Sequence, residues 1–575
     1  MTDVADFGAA STEPEPVISD RQKTALKLVV LAALAVVPFL PSMRGPFFWD
    51  DAANIEFNRA LRSPSGLKAI WMDPLASFQY YPLTYSLFWV EFQLFGERPF
   101  GYHAVSLVLH TINALLVWKT LAVLRIPGAW WAAALFAVHP IQVETVGWIT
   151  EQKNLLSTLF SLLAMLGWER YIGRGESAGV VWAAIAFLAA LASKTVAVVL
   201  PVYLLLCEIV LRRSPVRRWL PLLLVWIAVG ITAGLLTSWR ETATSLRTGS
   251  PADTPPNLRF DERVLVASQS LWRYLELLLC LEPFVPIPVR SVPSWTNPSA
   301  VEALVGIAVV VSGLLALLRR GQPGPILAAA FFVIQLGPTL GFFPFQFQCH
   351  SFVGDHFAYF ACAGVFALVC GLLFSETAAW KNVAAVLVIA LLVNQTWKQS
   401  SLFADPESLW AANARANPNA WAAHTNLADL QLKRQAVREA LESARRAVEI
   451  EPANPMAQQN LGTALARAGR PADAERAFRE ALRLAPGDPR FQHNLGNVLL
   501  QQERWREAIE EYQRAAQTAP DFPMTHFLMG KAYVKIGMRE EARRSFLRAL
   551  EIEPQMDLAR QALDELDRGL RDQSK

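Results

Sequence analysis

Charged residues are scarce in the first two thirds of this sequence. Asp, Glu, Lys and Arg make up 18% of the 575 residues, whereas soluble domains contain about a quarter. The shortage is uneven, because residues 401–575 hold 50 of the 103 charged residues and the first 400 residues hold only 53. This asymmetry excludes a single soluble globule and predicts a membrane-embedded part followed by a water-soluble part.

Cysteine and the short motifs of soluble ligand sites are also scarce. The five cysteines have neither the spacing of zinc ligands nor that of a disulfide framework. Glycine-rich phosphate loops, dinucleotide fingerprints and hydrolase nucleophile motifs are missing. The charge-rich tail has 25 basic and 25 acidic residues, which leaves no basic surface for nucleic acid. The sequence therefore predicts no cofactor, no metal, no nucleotide-sugar donor and no nucleic-acid partner.

Long apolar runs fill the first 400 residues. Most approach the ~20 residues that a helix needs to cross a bilayer, and they cover residues 25–40, 102–123, 129–139, 154–171, 179–193, 195–211, 218–238, 301–318, 325–341, 356–374 and 379–396. We therefore expect an all-α, polytopic membrane bundle with about 11 spans. A further stretch, 264–283, contains Arg273 and Glu276 and is predicted to be a re-entrant or surface-lying helix.

Basic residues are concentrated in alternate short loops of this part. They are Arg125, Arg170, Arg174, Arg212, Arg213, Arg217, Arg218, Arg319 and Arg320. Because cytoplasmic loops carry an excess of Lys and Arg, these loops and the N-terminus are predicted to be cytoplasmic. The other side is expected to receive loops 42–101, 140–153, 239–300 and 342–355, and everything after about residue 397. Residues 1–20 are acidic and contain proline, and we predict a disordered tail there.

The tail repeats itself every 34 residues. This step is kept by alanine, leucine and aromatic positions and by the series Pro418, Pro452, Pro486, Pro520 and Pro554. The pattern is that of tetratricopeptide repeats, in which small residues let paired helices approach and proline ends the second helix. We expect a membrane domain at 21–400, a half-repeat linker at 401–420, repeats at 421–454, 455–488, 489–522 and 523–556, and a capping helix and tail at 557–575.

One polar position recurs along these repeats. It is occupied by Asn426, Asn460 and Asn494, and Leu528 interrupts the row. Identical positions in a solenoid form a ladder on the concave face, where carboxamides can hydrogen-bond an extended peptide. The alternative is local helix and turn chemistry, because Asn is frequent at this position of such repeats. The ladder is therefore a candidate surface for a peptide or protein partner.

An acidic pair, Asp50 and Asp51, follows the first apolar run. Charge beside a bilayer is normally avoided unless it is used, and a carboxylate there can act as a general base toward an attacking hydroxyl. The alternative is a helix cap, since Asp50 precedes a stretch with helical character. The residues alone leave both interpretations open.

Several stretches in a fixed order resemble one family. They are the acidic pair in the first outer loop, YYPLTYSLFWVEFQLFGERPFGYHAVSLVLHTINALL, LFAVHPIQVETVGWITEQKNLLSTLF, SFVGDHFAYF and the tetratricopeptide tail. This combination resembles the transmembrane and tetratricopeptide-repeat-containing O-mannosyltransferases of animals, and especially their bacterial relatives, in the GT-C glycosyltransferase superfamily. The likeness extends from about Phe47 to the last repeat.

The resemblance implies an integral-membrane, inverting glycosyltransferase. Such an enzyme takes a sugar from a polyprenyl-phosphate donor and transfers it on the non-cytoplasmic face to a hydroxyl of a protein acceptor. It implies that Asp50 is the base and Asp51 orients the acceptor, or the reverse. Animal members have Arg where this chain has Tyr81, so no phosphate contact is assigned to that position.

A second group of candidates surrounds the second outer loop. It comprises His139, Glu144, Lys153, Lys194 and Arg273, with Glu151 close to Lys153 in the sequence. A leaving lipid phosphate needs cations or hydrogen-bond donors in a poorly solvated place, and His139 and Glu144 are candidates to contact the sugar or hold a lysine. The alternatives are that the lysines only snorkel at helix ends and that the His139-Pro140 turn only ends a helix.

A third group begins a late apolar run. Asp355, His356 and Tyr359 are expected to project toward one cavity, because offsets of three and four share a helical face. In the family this region resembles the stretch that meets the donor. The alternative for Asp355 is a helix cap.

Together these features predict a bacterial inner-membrane glycosyltransferase. The expected sugar is mannose or another hexose, the expected lipid is undecaprenyl phosphate, and the repeats are expected outside the cytoplasm, where they bind the acceptor. One alternative is a non-enzymatic scaffold, although a single span would suffice to anchor the repeats. Another is a transferase that modifies glycolipid or polysaccharide; its usual large late outer loop is short here, at 342–355.

Overall fold

The structure is a computed structural model that describes residues 19–77, 79–211, 214–248, 256–279, 286–290, 294–343, 345–376 and 378–573. Every regular element in these ranges is a helix. The all-α prediction is thereby confirmed for the described part of the chain. The prediction of a disordered tail falls almost wholly on residues outside these ranges, as do Arg212 and Arg213.

The N-terminal part is a bundle of apolar helices. These are α1 (Asp20–Val36), α2 (Pro64–Met72), α3 (Pro82–Phe95), α4 (Pro99–Val123), α5 (Ala129–Val138), α6 (Val143–Gly147), α7 (Gln152–Arg174), α8 (Ala178–Ser193), α9 (Leu200–Leu211), α10 (Val216–Thr248), α11 (Phe260–Leu279), α12 (Pro298–Arg319), α13 (Gly324–Leu336), α14 (Ala358–Leu373) and α15 (Ala379–Phe403). Short 3₁₀ or π turns lie at Val37–Arg44, Ala52–Glu56, Arg59–Arg62, Pro140–Gln142, Ile149–Glu151, Thr195–Val199, Gly337–Thr339, Gln346–Cys349 and Asp355–Phe357.

Helices coincide with all the predicted spans. Among the described residues, six segments are long and apolar enough to cross a membrane: Asp20–Arg44, Pro99–Val123, Val216–Arg240, Pro298–Arg319, Asp355–Leu373 and Ala379–Leu402. The other predicted spans fall on α7 and on the shorter apolar helices Ala129–Val138, Ala178–Ser193, Thr195–Leu211 and Gly324–Thr339. The N-terminal part is therefore of membrane type, while the number of spans and their orientation stay predictions.

Helices at the centre of the bundle pack closely against one another. A Cβ atom on Gly167 of α7 would lie 2.8 Å from the backbone nitrogen of Ala183 in α8, so only glycine permits this approach. Buried polar groups find partners between helices, as where His110 Nδ1 of α4 lies 2.9 Å from Tyr359 Oη of α14.

Helix α11 occupies the region predicted to be re-entrant or surface-lying, and residues 280–283 of that stretch lie outside the described ranges. One of its faces is buried, with Leu265, Tyr274 and Leu278 on it. Tyr274 Oη lies 3.1 Å from the carbonyl oxygen of Gly354. α11 thus packs against the loop before α14, and its path relative to the membrane stays a prediction.

The C-terminal part is a solenoid of paired helices. After α16 (Pro406–Ala416), the helices are α17 (Trp421–Lys433), α18 (Val437–Ile450), α19 (Pro455–Arg467), α20 (Pro471–Leu484), α21 (Pro489–Gln501), α22 (Trp505–Thr518), α23 (Pro523–Lys535), α24 (Arg539–Ile552) and α25 (Asp557–Gln573). The first helix of each pair starts 34 residues after the previous one. Gly496 faces the ring of Tyr512, where a Cβ atom would lie 2.6 Å from the ring. The recurring glycines therefore provide the space for the recurring aromatic rings.

Candidate functional site

A polar cavity of about 260 Å³ lies where the first, second and last predicted outer loops meet. Carboxylates, cations and aromatic rings line it: Trp49, Asp50, Gln79, Tyr80, Tyr81, Trp148, Glu151, Lys153, Lys194, Thr237, Arg240, Phe345, Phe347, His350, His356 and Phe357. Four of the residues predicted to carry chemistry are among them, namely Asp50, Lys153, Lys194 and His356. The fold thus brings at least one member of each predicted group to one cavity.

Asp50 of the first outer loop lines this cavity. It lies just before the π turn Ala52–Glu56, and its backbone carbonyl accepts hydrogen bonds from the backbone and side chain of Asn54, at 3.0 and 2.8 Å. Its Oδ1 is buried and has no hydrogen-bond partner. Burial raises the pKa of Asp50 above its ordinary value, and Lys153 offsets part of that rise. The carboxylate is therefore poised to accept a proton, and its geometry does not favour the helix-cap interpretation.

Asp51 has a different environment, although it is adjacent in sequence. It is fully buried and accepts hydrogen bonds from the backbone nitrogens of Thr150, at 2.9 Å, and Phe48, at 3.2 Å, and from the Thr150 hydroxyl. Burial and the neighbouring Asp50 raise the pKa of Asp51 to about 8. Asp51 thus joins the first outer loop to the second and does not line the cavity.

A buried ion cluster forms the opposite wall. Glu151 lies 2.9 Å from Lys153 Nζ and 3.4 Å from Lys194 Nζ. Burial alone would raise the pKa of Glu151, but the two lysines bring it below its ordinary value. Burial lowers the pKa of Lys194 to about 8 despite the attraction of Glu151. Two lysines share one carboxylate, so the cluster has positive charge available for an anionic ligand.

Glu144 holds His356 at the edge of the cavity. Glu144 Oε2 accepts a hydrogen bond from the His356 backbone nitrogen at 2.9 Å and lies 3.1 Å from its Nδ1. Asn154 donates to the His356 carbonyl at 2.9 Å. Glu144 was predicted to contact the sugar or to hold a lysine. In the structure its carboxylate instead contacts His356.

Besides Asp51 and Glu144, four further predicted residues lie away from the cavity lining. His139 Nε2 contacts the Leu278 carbonyl at 3.2 Å, and Arg273 pairs with Glu276 at 3.2 Å. Asp355 is buried but does not line the cavity. The Tyr359 hydroxyl is hydrogen-bonded to His110 inside the bundle. The expected common face of Asp355, His356 and Tyr359 does not form, because Asp355–Phe357 is a 3₁₀ turn and the α-helix begins only at Ala358.

Arg240 is a cavity residue that sequence reasoning missed. It ends the apolar segment of α10, and its guanidinium donates to the carbonyl oxygens of Pro74, at 2.8 Å, and Ser77, at 2.5 Å. It therefore fixes the loop that carries Gln79, Tyr80 and Tyr81. A signal was present, because an arginine directly after a span on the predicted outer side runs against the usual charge bias.

Aromatic residues close the cavity toward the repeats. Trp148 stacks on Trp49, with ring centroids 4.8 Å apart and planes 4° apart. His350 packs against Trp421 of α17 at 4.9 Å, and burial lowers the pKa of His350 to about 4. No short motif identifies these residues, since their partners are distant in sequence.

In the asparagine row on the repeats, two of the three side chains donate hydrogen bonds to backbone carbonyls. Asn426 donates to the Ala422 carbonyl in its own helix at 2.8 Å, and Asn460 donates to the Thr425 carbonyl of the preceding repeat at 2.9 Å. Asn494 is half-buried. These bonds favour the local structural interpretation for the first two residues, and peptide binding by the row stays a proposal.

Family models match the repeat part. Two models described as "Tetratricopeptide repeat" match residues 460–523 and 499–566. A third, described as "Bacterial transcriptional activator domain", matches residues 387–487. The solved structure "Crystal structure of MamA protein" is 25% identical, covers 26% of this chain and 81% of its own, and has a TM-score of 0.24. The repeat prediction is thereby confirmed by the family models.

Curated relatives extend into the membrane part. Protein O-mannosyl-transferase F38B6.6 of Caenorhabditis elegans is 23% identical over 447 residues, which cover 74% of this chain and 63% of that protein. Protein O-mannosyl-transferase Tmtc1 of Drosophila melanogaster is 31% identical over 199 residues, 32% of this chain and 23% of its own length. The chain thus spans less than two thirds of these relatives. It is related to the protein O-mannosyltransferases that the sequence motifs indicated.

Proposed function

We propose that this chain, a relative of the protein O-mannosyltransferases, is an inverting glycosyltransferase of the GT-C type. It would move a hexose such as mannose from a polyprenyl phosphate to a hydroxyl group of a protein. The observation that carries this proposal is that Asp50 lines the same cavity as Lys153, Lys194 and Arg240. A base and a group of cations are the two functions that this reaction needs.

The proposed reaction begins with the acceptor hydroxyl near Asp50. The Asp50 carboxylate takes the hydroxyl proton while the acceptor oxygen forms a bond to the anomeric carbon of the sugar. The bond from that carbon to the phosphate oxygen breaks, and its electron pair leaves with the lipid phosphate. Attack and departure on opposite sides invert the anomeric centre, and Lys194 and Lys153 stabilise the charge that develops on the phosphate.

A second cavity, which is apolar, lies within the bundle. It measures about 190 Å³ and is lined by side chains of α4, α7, α9, α13 and α14, among them Leu121, Leu162, Phe331 and Phe360. The chain passes directly from His356 and Phe357, at the polar cavity, into α14, whose first turns line the apolar one. Leu124, Leu211 and Gly324 in its lining adjoin loops predicted to be cytoplasmic, so the apolar cavity lies toward the other side of the bundle. A donor whose phosphate binds in the polar cavity would reach it only with its hydrocarbon tail.

The repeats are the proposed site of the protein acceptor. They follow α15 directly, and α16 and α17 pack beside the polar cavity through Trp410 and Trp421. We place the cavity and the repeats on the periplasmic side of a bacterial inner membrane, with the N-terminus in the cytoplasm and undecaprenyl phosphate as the donor lipid. All the catalytic groups in the proposed reaction are side chains of this chain.

The proposal is tested by sugar transfer in reconstituted membranes. The reconstituted protein is given polyprenyl-phosphate mannose with a radioactive sugar as donor. Envelope proteins from cells that lack the chain serve as acceptor, and the label transferred to them is measured. Asp50→Asn is expected to lower transfer by about 10² to 10⁴-fold, because a positioned base contributes that much. Asp73→Asn, an exposed carboxylate of the same loop, is the matched control and should transfer normally. Equal transfer by Asp50→Asn and wild type would remove Asp50 as the base.

A further inference from the structure

The backbone at Trp49 adopts a conformation that large residues rarely enter. Its φ angle is 54°, in the left-handed region that favours glycine. Such a conformation persists only where surrounding contacts hold it. Because Trp49 directly precedes Asp50, whatever holds Trp49 also sets the direction of the Asp50 carboxylate.

Two tryptophans hold the Trp49 ring from different sides. Trp148 of the second outer loop stacks on one face, and Trp410 meets the ring edge-on at 5.1 Å, with 72° between the planes. Trp410 belongs to α16, the first helix of the repeat part, and it is 1% exposed. Trp49, a lining residue of the cavity beside Asp50, is therefore supported from behind by a residue from outside the membrane bundle.

Further contacts lock α16 in place. The side chains of Asn413 and Asn417 both donate to the carbonyl oxygen of Ile287, at 3.4 and 3.0 Å. Ile287 is itself buried with Trp410 and with the start of α17. Three segments that are distant in sequence, near residues 49, 287 and 410, thus meet at one aromatic cluster.

We propose that Trp410 is a positioning residue for the Asp50 base, so that the start of the repeat part is a structural component of the catalytic cavity. Trp410 acts through Trp49 and touches neither substrate. This inference rests on the proposed function. It differs from a role of the repeats in acceptor recruitment alone, because it makes the chemical step depend on α16 even for an acceptor too small to reach the repeats.

The test is a double-mutant cycle on the full-length protein with a short serine peptide as acceptor. Trp410→Ala is expected to lower kcat by about tenfold or more, since small misplacements of a reacting group are costly, while KM for polyprenyl-phosphate mannose changes little. Trp410→Phe, which keeps an aromatic edge, should restore most of the rate. In a Trp49→Ala background, Trp410→Ala should add almost no further loss.

Two controls keep the outcome decisive. Trp505→Ala removes a tryptophan from α22, far along the solenoid, and is expected to leave kcat unchanged. Trp410→Leu retains more apolar volume than Trp410→Ala and replaces it if the Trp410→Ala protein fails to fold. A variant is judged to be folded if it elutes as a single species in detergent. Independent losses from Trp49→Ala and Trp410→Ala, or an unchanged kcat in Trp410→Leu, would overturn the inference. If wild type transfers no sugar, it is the proposed function that fails.

Discussion

The two parts of this chain use charge in opposite ways. In the repeats, ion pairs lie on the surface, as with Arg483 and Glu480, whose side chains are 68% and 36% exposed. In the membrane part, Glu151 and Lys153 pair with side chains that are 2% and 8% exposed. Surface pairs contribute little stability, whereas buried charges are costly to desolvate and are retained where they serve a function. The comparison directs attention to the few buried charges rather than to the many exposed ones.

The largest expected effect is the loss of the shared carboxylate. Glu151→Gln removes the carboxylate that Lys153 and Lys194 share and leaves only more distant acidic groups near them, and breaking a buried pair typically costs about 3–5 kcal/mol. We expect a lower unfolding temperature of the membrane part and weaker donor binding. Tryptophan fluorescence during heating in detergent measures the first, and donor titration measures the second.

The control for this change is Glu480→Gln in the repeats. Its partner Arg483 stays solvated, so the unfolding temperature is expected to remain as in wild type. If both glutamine variants unfold at the same temperature, the buried cluster is not the stabilising element that its geometry indicates.

A smaller effect is expected from packing in the solenoid. Gly496→Ala places a methyl group against the Tyr512 ring, and such overpacking costs about 1–3 kcal/mol. Gly487→Ala is the matched control, because a Cβ atom there meets nothing within 4 Å. The repeat part of the first variant should unfold at lower temperature and that of the second at the normal temperature. A tolerated Gly496→Ala would show that the Tyr512 ring moves without cost.

The smallest expected effect is a change in pH dependence. Asp50 has a raised pKa and acts as a base only when ionised, so activity should fall as the pH drops through that pKa. Burial lowers the pKa of Lys194 to about 8, so donor binding should weaken as the pH rises above that value and Lys194 loses its charge. Values of kcat/KM for the donor, measured between pH 5 and 10, report both the acid limb and the alkaline limb of this pH profile.

Lys194→Arg separates the two limbs of this profile. Arginine stays protonated over the whole range, so the alkaline limb should move to higher pH while the acid limb is retained. An alkaline limb that is identical in Lys194→Arg and wild type would assign that limb to another group.

Much of the architecture was predictable because it depends on local or periodic patterns. The step of 34 residues placed the paired helices, and each predicted apolar run coincides with a helix. Asp50, Lys153, Lys194 and His356 were singled out as polar residues beside apolar runs, and all of them line the polar cavity. Buried charge is rare enough near membranes that its mere presence is informative.

The assignments that failed to meet at the cavity depended on orientation. Tyr359 was expected beside His356, but a 3₁₀ turn precedes α14 and rotates the Tyr359 side chain into the bundle, toward His110. Asp51 and Asp50 are adjacent in sequence, yet one binds Thr150 and the other faces the cavity. One peptide bond separates the carboxylate that lines the cavity from the one bonded to Thr150, and no sequence pattern distinguishes the two.

By itself, the sequence determined a charge-poor helical part, a solenoid tail and a short set of polar residues between them. These follow from hydropathy and periodicity, which act over a few turns of helix. Only the tertiary structure decided which residues share the cavity, that Arg240 belongs to it, and that Trp410 of the repeats packs against Trp49 beside Asp50. Such contacts join segments far apart in the chain, and they are decided by how closely the helices pack rather than by any local pattern.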